Sequence, residues 1–469
     1  MKLDTGVFRK YDIRGVFPRE LNQGLVTGLG AALGDMTAGP VAIGRDCRPS
    51  GELLFRWLAN GIALAGREVL DLGVQTSPMT YYAAHMLHST VTVMITGSHN
   101  PPEYNGFKIM LGLGTMHGED LQRIMRAMEL MDDLPQEPPA GAPEPGKVSV
   151  EDAYFRRLLS EFSLNRSLRV VVDAGNGTGG IMACRVLEAL GCRVTPLYCD
   201  MDGSFPNHHP DPTLLDNLAA LRRTVVETGS DLGIAFDGDA DRLGVVDETG
   251  EVVFGDRVLV LLAREVLRVN PGATVISEVK ASDIFFREVE KAGGRALMSP
   301  TGHSLIKKAM IEQNALLAGE MSGHIFFRDR YYGFDDALYA ALRLLEVLAA
   351  GNESLGRLMA SMPRLHSTPE LREDCPDDLK FQVVDEVRRT LESEGLEVDA
   401  TDGVRVRFPD GWGLVRASNT QPVLVLRFEA GTPAELVEYE HLIRTAVKRA
   451  RRICDVETAG GGAGEGHSR

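Results

Sequence analysis

The chain has few cysteines, and their spacing excludes two common kinds of site. None of the six cysteines forms a C-x-x-C pair, so the sequence contains neither the usual structural zinc pattern nor a thioredoxin-like redox motif. We expect these residues to be reduced thiols that mostly pack in the interior.

The sequence also lacks long apolar runs. No stretch approaches the ~20 residues that a membrane-spanning helix requires, and the N-terminal segment has no apolar core of the kind found in signal peptides. We therefore expect a cytoplasmic protein with no membrane partner.

A basic excess is missing as well, since the formal net charge is −16. Nucleic-acid-binding proteins normally present a basic face, so this balance argues against nucleic acid as a partner. Any phosphate group must be bound by local basic side chains within an acidic protein. The 469 residues, 44% hydrophobic and 25% charged, have the composition of a globular protein. At ~150 residues per domain, the length allows about three or four domains.

One pattern occurs three times along the chain: an apolar strand, a polar or Gly-rich turn, a helix, and a Gly-led second strand. The copies run from VAIGRDCRPSG to AGREVLDLGV, from VVVDAGNGTGG to LGCRVTPLYC, and from ATVISEVKASD to GGRALMSP. Each copy is typical of a β-α-β unit with a parallel strand pair. The pattern predicts three related α/β domains.

Composition shifts indicate where the domains end. The Pro-rich segment Leu134–Lys147 is predicted to be a linker, a second boundary lies near Gly250–Gly255, and a helix from Asp335 to about Ala350 closes the third unit with Gly351 as its C-cap. From about residue 366 the order is helix, three strands and helix, which predicts an α+β domain with an antiparallel sheet. The predicted domains are 1–145, 146–253, 254–365 and 366–456, followed by a disordered tail at 457–469.

The segment VTVMITGSHNP is an apolar strand that ends in a polar turn presenting Ser98. A hydroxyl at a strand end is well placed for chemistry, although Gly, Ser, Asn and Pro also build ordinary turns. The G-x-S-x-G frame of a nucleophile elbow is absent, which argues against a serine hydrolase.

Three carboxylates at alternate positions, Asp237, Asp239 and Asp241, follow the apolar run LGIAF. Hard oxygen ligands of this kind suit Mg²⁺ or Ca²⁺. With Glu248 they match the ligand spacing of an EF-hand, but Arg242 stands where that loop needs Gly and the flanks are strand-like. We therefore expect a metal loop that is not an EF-hand.

Two further loops carry polar groups that suit a sugar phosphate. Glu320 and Ser322 in GEMSGH offer groups for sugar hydroxyls, whereas RASNT offers a guanidinium, two hydroxyls and an amide for a phosphate. Either loop is also compatible with an ordinary solvated turn. Spacing alone does not select the other candidates, which are Tyr11, Arg14, Lys108, Lys280 and His303.

TGSHNP with the downstream NGFK, then DGDADR, GEMSGH and RASNT occur in this order, one per predicted domain. Together they resemble the motifs of the α-D-phosphohexomutase superfamily, and most closely its bacterial phosphomannomutase/phosphoglucomutase branch, over about residues 6 to 455. The resemblance implies four domains around a central cleft. The first three are related mixed α/β sheets flanked by helices, and the fourth is α+β with an antiparallel sheet.

The resemblance also implies roles for the motif residues. Ser98 would carry a phosphoryl group, and Arg242 would steady that group during transfer. One Mg²⁺ per chain would be held by Asp237, Asp239, Asp241 and an oxygen of phosphorylated Ser98.

The sugar would be bound by Glu320, Ser322 and His324. The phosphate that is not reacting would be held by Arg416, Ser418, Asn419 and Thr420, helped by Tyr11, Arg14, Lys280 and His303. The general base stays open among His303, His324 and Lys108, and Lys108 would need a lowered pKa for that role.

The implied reaction is reversible phosphoryl transfer between C1 and C6 of mannose or glucose phosphates, with hexose 1,6-bisphosphate as intermediate and activator. The alternatives are a phosphoglucosamine mutase, a phosphatase with the same nucleophile and metal, and a non-catalytic sugar-phosphate-binding protein. We expect small hexose phosphates as partners, a monomer or weak dimer, and a hinge at Pro363–Thr368.

Overall fold

The strands of the chain form four separate sheets. The computed structural model describes residues 4–87, 89–419 and 421–461. The first three sheets mix parallel and antiparallel pairs, and the fourth contains antiparallel pairs throughout. The predicted fold class is therefore confirmed. Within the described ranges, no helix is both long enough and apolar enough to cross a bilayer.

The first sheet has the strand order β1-β5-β4-β2-β3-β7, with β6 paired to β5. Its central strand β4, VTVMI, is buried at every residue and leads directly to Ser98. After a 3-10 turn at Thr5–Val7, the elements are β1 (Ile13–Val16), α1 (Gln23–Asp35), β2 (Val41–Arg45), α2 (Gly51–Leu64), β3 (Val69–Val74), α3 (Ser77–Leu87), β4 (Val91–Ile95), β5 (Tyr104–Leu111), β6 (Gly114–Thr115), α4 (Glu119–Glu129) and β7 (Gly146–Lys147).

The second sheet has the order β12-β11-β10-β8-β9. Its elements are α5 (Glu151–Glu161), β8 (Arg169–Asp173), α6 (Gly180–Ala189), β9 (Arg193–Leu197), α7 (Ala219–Thr228), β10 (Leu232–Phe236), β11 (Leu243–Asp247) and β12 (Val252–Val253). Strands β10 and β11 form an antiparallel hairpin, and the three aspartates lie in its loop.

The third sheet has the order β14-β13-β15-β16. Its elements are α8 (Gly255–Val269), β13 (Thr274–Glu278), α9 (Asp283–Lys291), β14 (Arg295–Ser299), α10 (His303–Glu312), β15 (Leu317–Gly319), β16 (Ile325–Phe327), α11 (Ala337–Ala350) and α12 (Leu355–Ala360). Helix α11 is the predicted helix with Gly351 at its C-cap, but it begins two residues later than expected because Asp336 caps its N-terminus.

The fourth sheet has the order β17-β22-β21-β20-β19, with β18 also paired to β22. Its elements are β17 (His366–Ser367), β18 (Leu371–Asp374), α13 (Lys380–Ser393), β19 (Glu397–Asp399), β20 (Val404–Phe408), β21 (Gly411–Ala417), β22 (Val423–Ala430) and α14 (Pro433–Gly461). The short edge strands β17, β18 and β19 escaped the sequence interpretation, because two to four residues give no clear alternation.

The repeated sequence pattern predicted the parallel units correctly. Strand β2 pairs in parallel with β3, β8 with β9, and β13 with β14, each across one helix. The pattern is informative because a parallel neighbour needs a crossover, and a helix is the usual crossover.

The domain boundaries stay predictions, and two details differ from them. Strand β7, which lies at the end of the predicted linker and beyond residue 145, adds to the edge of the first sheet by pairing with β3. Helix α14 extends to Gly461, past the start of the predicted disordered tail, and the remaining residues 462–469 lie outside the described ranges.

The hydrophobic core is divided unequally. One continuous cluster includes Ala42 of the first domain, Phe236 of the second and Leu345 of the third. The fourth domain has its own cluster, and a small group of Val279, Trp412 and Leu414 joins it to the third. The first domain also has a cluster of its own but shares the large one with the second and third, whereas the fourth meets the third through the small group, which is compatible with the predicted hinge.

Helices α1 and α2 cross at a pair of glycines. A Cβ added to Gly61 would lie 2.0 Å from the carbonyl oxygen of Thr27, and one added to Gly30 would lie 2.2 Å from that of Leu58. The crossing therefore has no room for a methyl group, and a larger residue must push the two backbones apart.

We expect Gly61→Ala to destabilise the protein by about 1–3 kcal/mol, the usual cost of overpacking a core. The measurement is the midpoint of thermal unfolding. Gly114→Ala is the control, since its added Cβ would meet Leu111 O at 3.7 Å, an ordinary contact. Equal midpoints for the two variants would contradict this account of the crossing.

Candidate active site

Ser98 lies in a turn that is held in place by hydrogen bonds to a buried carboxylate. Its backbone has a φ of 48°, an unusual conformation for a residue with a side chain, and only 3% of the residue is exposed. The carboxylate of Asp46 accepts hydrogen bonds from the Thr96 hydroxyl at 2.7 Å and from the Gly97 amide at 3.1 Å. The Ser98 hydroxyl donates to Asp237 Oδ2 at 2.7 Å, so the turn of the first domain touches the acidic loop of the second.

Arg48 holds the same turn and was not recognised from the sequence. Its side chain is fully buried and pairs with Asp46 at 3.1 Å. Its guanidinium donates to the carbonyl oxygens of Ser98 at 2.8 Å and Tyr104 at 3.0 Å. A Cβ on Gly97 would lie 2.5 Å from the Arg48 Cζ, which explains the glycine beside the serine. The charged run RDCR, which begins at the last residue of β2, is the local signal that was available.

His99, for which the sequence analysis assigned no role, lies beside Ser98. Its Nδ1 is 3.2 Å from the Ser98 hydroxyl. Burial lowers the pKa of His99 well below its ordinary value, and the charges of Arg242 and Arg14 lower it further. The imidazole next to the serine is therefore held neutral.

The acidic loop brings three buried carboxylates together. Asp237, Asp239 and Asp241 are each 0% exposed, and one oxygen of each lies within 4.8 Å of the others. The Oδ1 atoms of Asp239 and Asp241 are buried without a hydrogen-bond partner among the described residues. Such oxygens suit a small divalent cation. Because the loop joins antiparallel strands, the EF-hand interpretation stays excluded.

The carboxylates perturb one another and their neighbours. Burial raises the pKa of Asp237 well above its ordinary value, and the charges of Asp241 and Asp239 raise it further. Burial has the same tendency at Asp239, but the Lys108 ammonium outweighs it and lowers that pKa. Burial and mutual repulsion therefore disfavour negative charge at Asp237, whereas Lys108 favours it at Asp239.

Lys108 is the cation that faces this cluster. Its ammonium donates to Asp239 Oδ2 at 2.6 Å and also to Asp241 Oδ2. Burial alone would lower the pKa of Lys108, but these two carboxylates raise it well above its ordinary value. The lowered pKa that Lys108 would need in order to act as a base is therefore not found, because its neighbours are carboxylates.

Arg242 and His324 meet at the other side of the acidic loop. The Arg242 Nε donates to His324 Nε2 at 3.1 Å, and it lies 3.9 Å from Asp237 Oδ2. An arginine N–H can only donate, so Nε2 of His324 is the unprotonated, accepting nitrogen. The structure thus brings the predicted phosphoryl-steadying arginine next to one of the three candidate bases.

Asp335 joins both candidate histidines and was missed as a site residue. Its Oδ2 lies 3.1 Å from His303 Nδ1 and 3.2 Å from His324 Nδ1, and the two imidazole rings stack with centroids 5.4 Å apart. Lys307 pairs with its other oxygen at 3.0 Å. Burial lowers the pKa of His303, and the charge of Lys307 lowers it further. The sequence interpretation treated Asp335 only as a helix start.

The predicted sugar loop connects β15 to β16. Glu320 is 3% exposed, and its Oε1 accepts a hydrogen bond from the Gly302 amide at 2.7 Å. Ser322 lies 3.5 Å from Glu320 Oε2, and the Glu320 amide donates to His324 O at 2.9 Å. Hydrogen bonds within the loop hold its shape, and the Glu320 carboxylate points toward the start of α10.

The predicted phosphate loop connects β21 to β22. Arg416 is buried and pairs with Asp402 Oδ2 at 3.0 Å. Asn419 donates to the Tyr11 hydroxyl at 2.6 Å, and Tyr11 donates to Thr301 O at 2.7 Å. The loop therefore contacts the first domain through Tyr11, as expected for a shared site.

The other members of the predicted phosphate site have separate neighbours. Ser418 accepts from the amide of Gln421 at 3.2 Å, and Thr420 lies outside the described residues. Lys280 is buried and pairs with Glu370 at 3.1 Å, whereas Arg14 pairs with Asp12 at 2.5 Å. The ion-pair partners of these two cations are thus carboxylates of other segments.

Comparison with known proteins identifies the family domain by domain. Family models described as phosphoglucomutase/phosphomannomutase, alpha/beta/alpha domains I, II and III and C-terminal domain, match residues 5–133, 152–250, 254–365 and 375–446. Their order is the order of the four sheets.

Full-length relatives agree with these matches. A phosphomannomutase/phosphoglucomutase from Pseudomonas putida is 47% identical, over 95% of this chain and 96% of that protein. A phosphoglucomutase from Neisseria gonorrhoeae is 43% identical, over 94% and 96% of the two chains. A crystal structure of a phosphoglucomutase/phosphomannomutase family protein from Burkholderia thailandensis superposes with a TM-score of 0.88 at 40% identity, covering 96% and 98% of the chains. The chain that unites Ser98 with the acidic hairpin therefore belongs to the phosphoglucomutase/phosphomannomutase family.

Proposed function

We propose that this enzyme transfers a phosphoryl group reversibly between C1 and C6 of mannose and glucose phosphates, with Ser98 as the carrier. The contact between the Ser98 hydroxyl and Asp237 Oδ2, 2.7 Å long, carries the proposal. It joins a nucleophile of the first domain to the acidic loop of the second within a buried site. The names of the relatives, which include both mannose and glucose activities, support the choice of sugars.

The first half-reaction starts from phosphorylated Ser98 and a hexose 1-phosphate. The sugar O6 attacks the phosphorus, so that the O6–P bond forms and the bond from phosphorus to Ser98 Oγ breaks. The O6 proton passes to a base, and the product is the 1,6-bisphosphate. The intermediate then reorients within the site. Its 1-phosphoryl group is transferred back to Ser98, and the hexose 6-phosphate leaves.

His324 is the base that the geometry favours. Its Nε2 accepts a hydrogen bond from Arg242, so it is unprotonated, and it adjoins the arginine that would steady the transferring group. Lys108 holds its proton between two carboxylates and is a poor base. The carboxylate of Asp335 lies 3.2 Å from His324 Nδ1, which has no hydrogen-bond partner among the described residues, and would stabilise positive charge on that ring.

The carboxylates of Asp237, Asp239 and Asp241 would hold one Mg²⁺ together with an oxygen of phosphorylated Ser98. The ion would supply neutralisation of the charge on the transferring phosphoryl group. The chain's own cations, Arg242 and Lys108, face the same region and share that work.

Burial favours a mutase over a phosphatase. Ser98, His324 and Glu320 are 3%, 5% and 3% exposed, so water has little access to a phosphorylated serine. The phosphate that is not reacting would be held by the loop of Arg416, Ser418, Asn419 and Thr420, and its binding energy would orient the reacting hydroxyl. That the protein is cytoplasmic, and a monomer or weak dimer, stays a prediction.

Ser98→Ala tests the carrier. We expect the wild-type protein to gain the mass of one phosphoryl group on incubation with glucose 1,6-bisphosphate, and the variant to gain none. Mutase turnover should fall by on the order of 10⁴-fold or more, as for loss of other catalytic nucleophiles. The control is Ser204→Ala, an exposed serine of the second domain.

Coupled assays with mannose, glucose and glucosamine 1-phosphates would rank the sugars. A preference for glucosamine 1-phosphate would favour the phosphoglucosamine mutase, and steady release of inorganic phosphate would favour the phosphatase. A wild-type protein that never becomes phosphorylated at Ser98 would overturn the mechanism.

Asp239→Asn tests the metal site. In calorimetric titration with Mg²⁺ we expect affinity to weaken by at least ~10–100-fold, the cost typical of losing even a supporting contact. Asp216→Asn removes the same charge at an exposed position of the same domain and should leave binding unchanged. Equal affinity for both variants would mean that the acidic loop does not hold the ion.

His324→Gln tests the base. We expect kcat to fall by about 10²–10⁴-fold, the usual contribution of general base catalysis, with a smaller change in KM. His441→Gln, at an exposed position of α14, is the control. A larger loss of kcat in His303→Gln than in His324→Gln would transfer the assignment to His303.

A further inference from the structure

The fold brings together two cysteines that are separated in the sequence. Cys184 lies in α6 and Cys199 follows β9, and their Sγ atoms are 3.7 Å apart. The backbones approach closely here, since a Cβ on Gly180 would lie 2.6 Å from Cys199 Cα. A disulfide requires an S–S distance of about 2.05 Å, which side-chain rotation at such a pair can approach.

The two thiols differ in reactivity. The hydrogen bond between them lowers the pKa of Cys184, whereas the same bond and burial raise the pKa of Cys199. By contrast, burial raises the pKa of Cys47 to about 12. Both Cys184 and Cys199 are only partly buried, so a small reagent has access to them. Thiolate character and exposure together select Cys184 as the attacking sulfur.

We propose that Cys184 and Cys199 form a redox-modification site that low-molecular-weight disulfides convert reversibly into an intramolecular disulfide. The Cys184 thiolate attacks one sulfur of the reagent, a mixed disulfide forms, and the reagent's other half leaves as a thiolate. Cys199 then loses its proton, attacks Cys184 Sγ and releases the second half as a thiolate. The two protein sulfurs are oxidised, and one reagent disulfide is reduced to two thiols.

Helix α6 connects this pair to the acidic loop. In the turn that leads into α6, Thr178 donates from its amide and its hydroxyl to Gly238 O, at 3.0 and 3.1 Å. A Cβ on Gly179 would lie 2.8 Å from the Ala240 Cβ. A change at the start of α6 is therefore passed directly to the loop that carries Asp237, Asp239 and Asp241.

The segment after Cys199 reaches the serine turn. A Cβ on Gly203 would lie 2.3 Å from Cys47 O and 2.6 Å from Arg48 Cα, so this segment packs on the residue that holds Ser98. The thiol pair thus lies between the turn that contacts the acidic loop and the segment that packs on Arg48, the residue that holds the Ser98 turn. Because a misplacement of about 1 Å can cost 10²-fold in rate, a disulfide here lowers turnover.

The test oxidises the folded, full-length protein with glutathione disulfide. We expect peptide mapping to find Cys184 joined to Cys199, and dithiothreitol to reverse the link. We expect kcat to fall on the order of tenfold on oxidation and to recover on reduction. Cys184→Ser and Cys199→Ser should keep full activity and become insensitive, and Cys192→Ser, a matched change in the same domain, should stay sensitive.

Three results would overturn the proposal: no Cys184–Cys199 link in the oxidised wild type, a link without a change in kcat, or equal inhibition of Cys184→Ser. Peptide mapping does not depend on the proposed mutase function, which enters only through the kcat readout. Inactivity of the reduced protein would therefore count against that function, while mapping would still decide whether the disulfide forms.

Discussion

The burial of three carboxylates on one hairpin is the constraint that shapes the site. Asp237, Asp239 and Asp241 are removed from water within 4.8 Å of one another, where like charges repel strongly. Such a cluster is stable only beside compensating groups, because an unpaired buried charge is costly. Lys108 from β5 and Ser77 from the start of α3 are such groups, since both donate hydrogen bonds to Asp239. The second domain therefore requires the first for its charge balance as well as for its nucleophile.

The same constraint explains why phosphoryl chemistry fits here. A phosphorylated Ser98 brings more negative charge to the place where carboxylates already crowd, which is tolerable only with cations in the same volume. Arg242 and Lys108 come from different domains and approach different carboxylates of the acidic loop, Asp237 and Asp239. Their separate origins make the charge balance sensitive to how the first two domains pack, and the cluster that Ala42 and Phe236 share contributes to that packing.

The features that could be predicted from the sequence are those set by residues close together along the chain. The β-α-β repeats and the four loops follow local patterns, so the fold class and the motif residues could be read from them. Arg48 and Asp335 could not, because their partners Ser98 and His303 lie 50 and 32 positions away. The pKa of Lys108 could not be predicted for the same reason, since it is set by carboxylates more than 130 positions along the chain. A motif identifies a residue, but the charge state of that residue depends on the groups that surround it in the folded protein.

In the proposed phosphate site, the cations are already oriented by acids. Arg416 is fixed by Asp402 through Nε and Nη2, so its guanidinium plane is set before any ligand arrives and Nη1 lies outside that pair. Lys280 is fixed in the same way by Glu370. Each pair reduces the ordering cost of binding, because a rotamer-rich side chain that is already held has less freedom to lose.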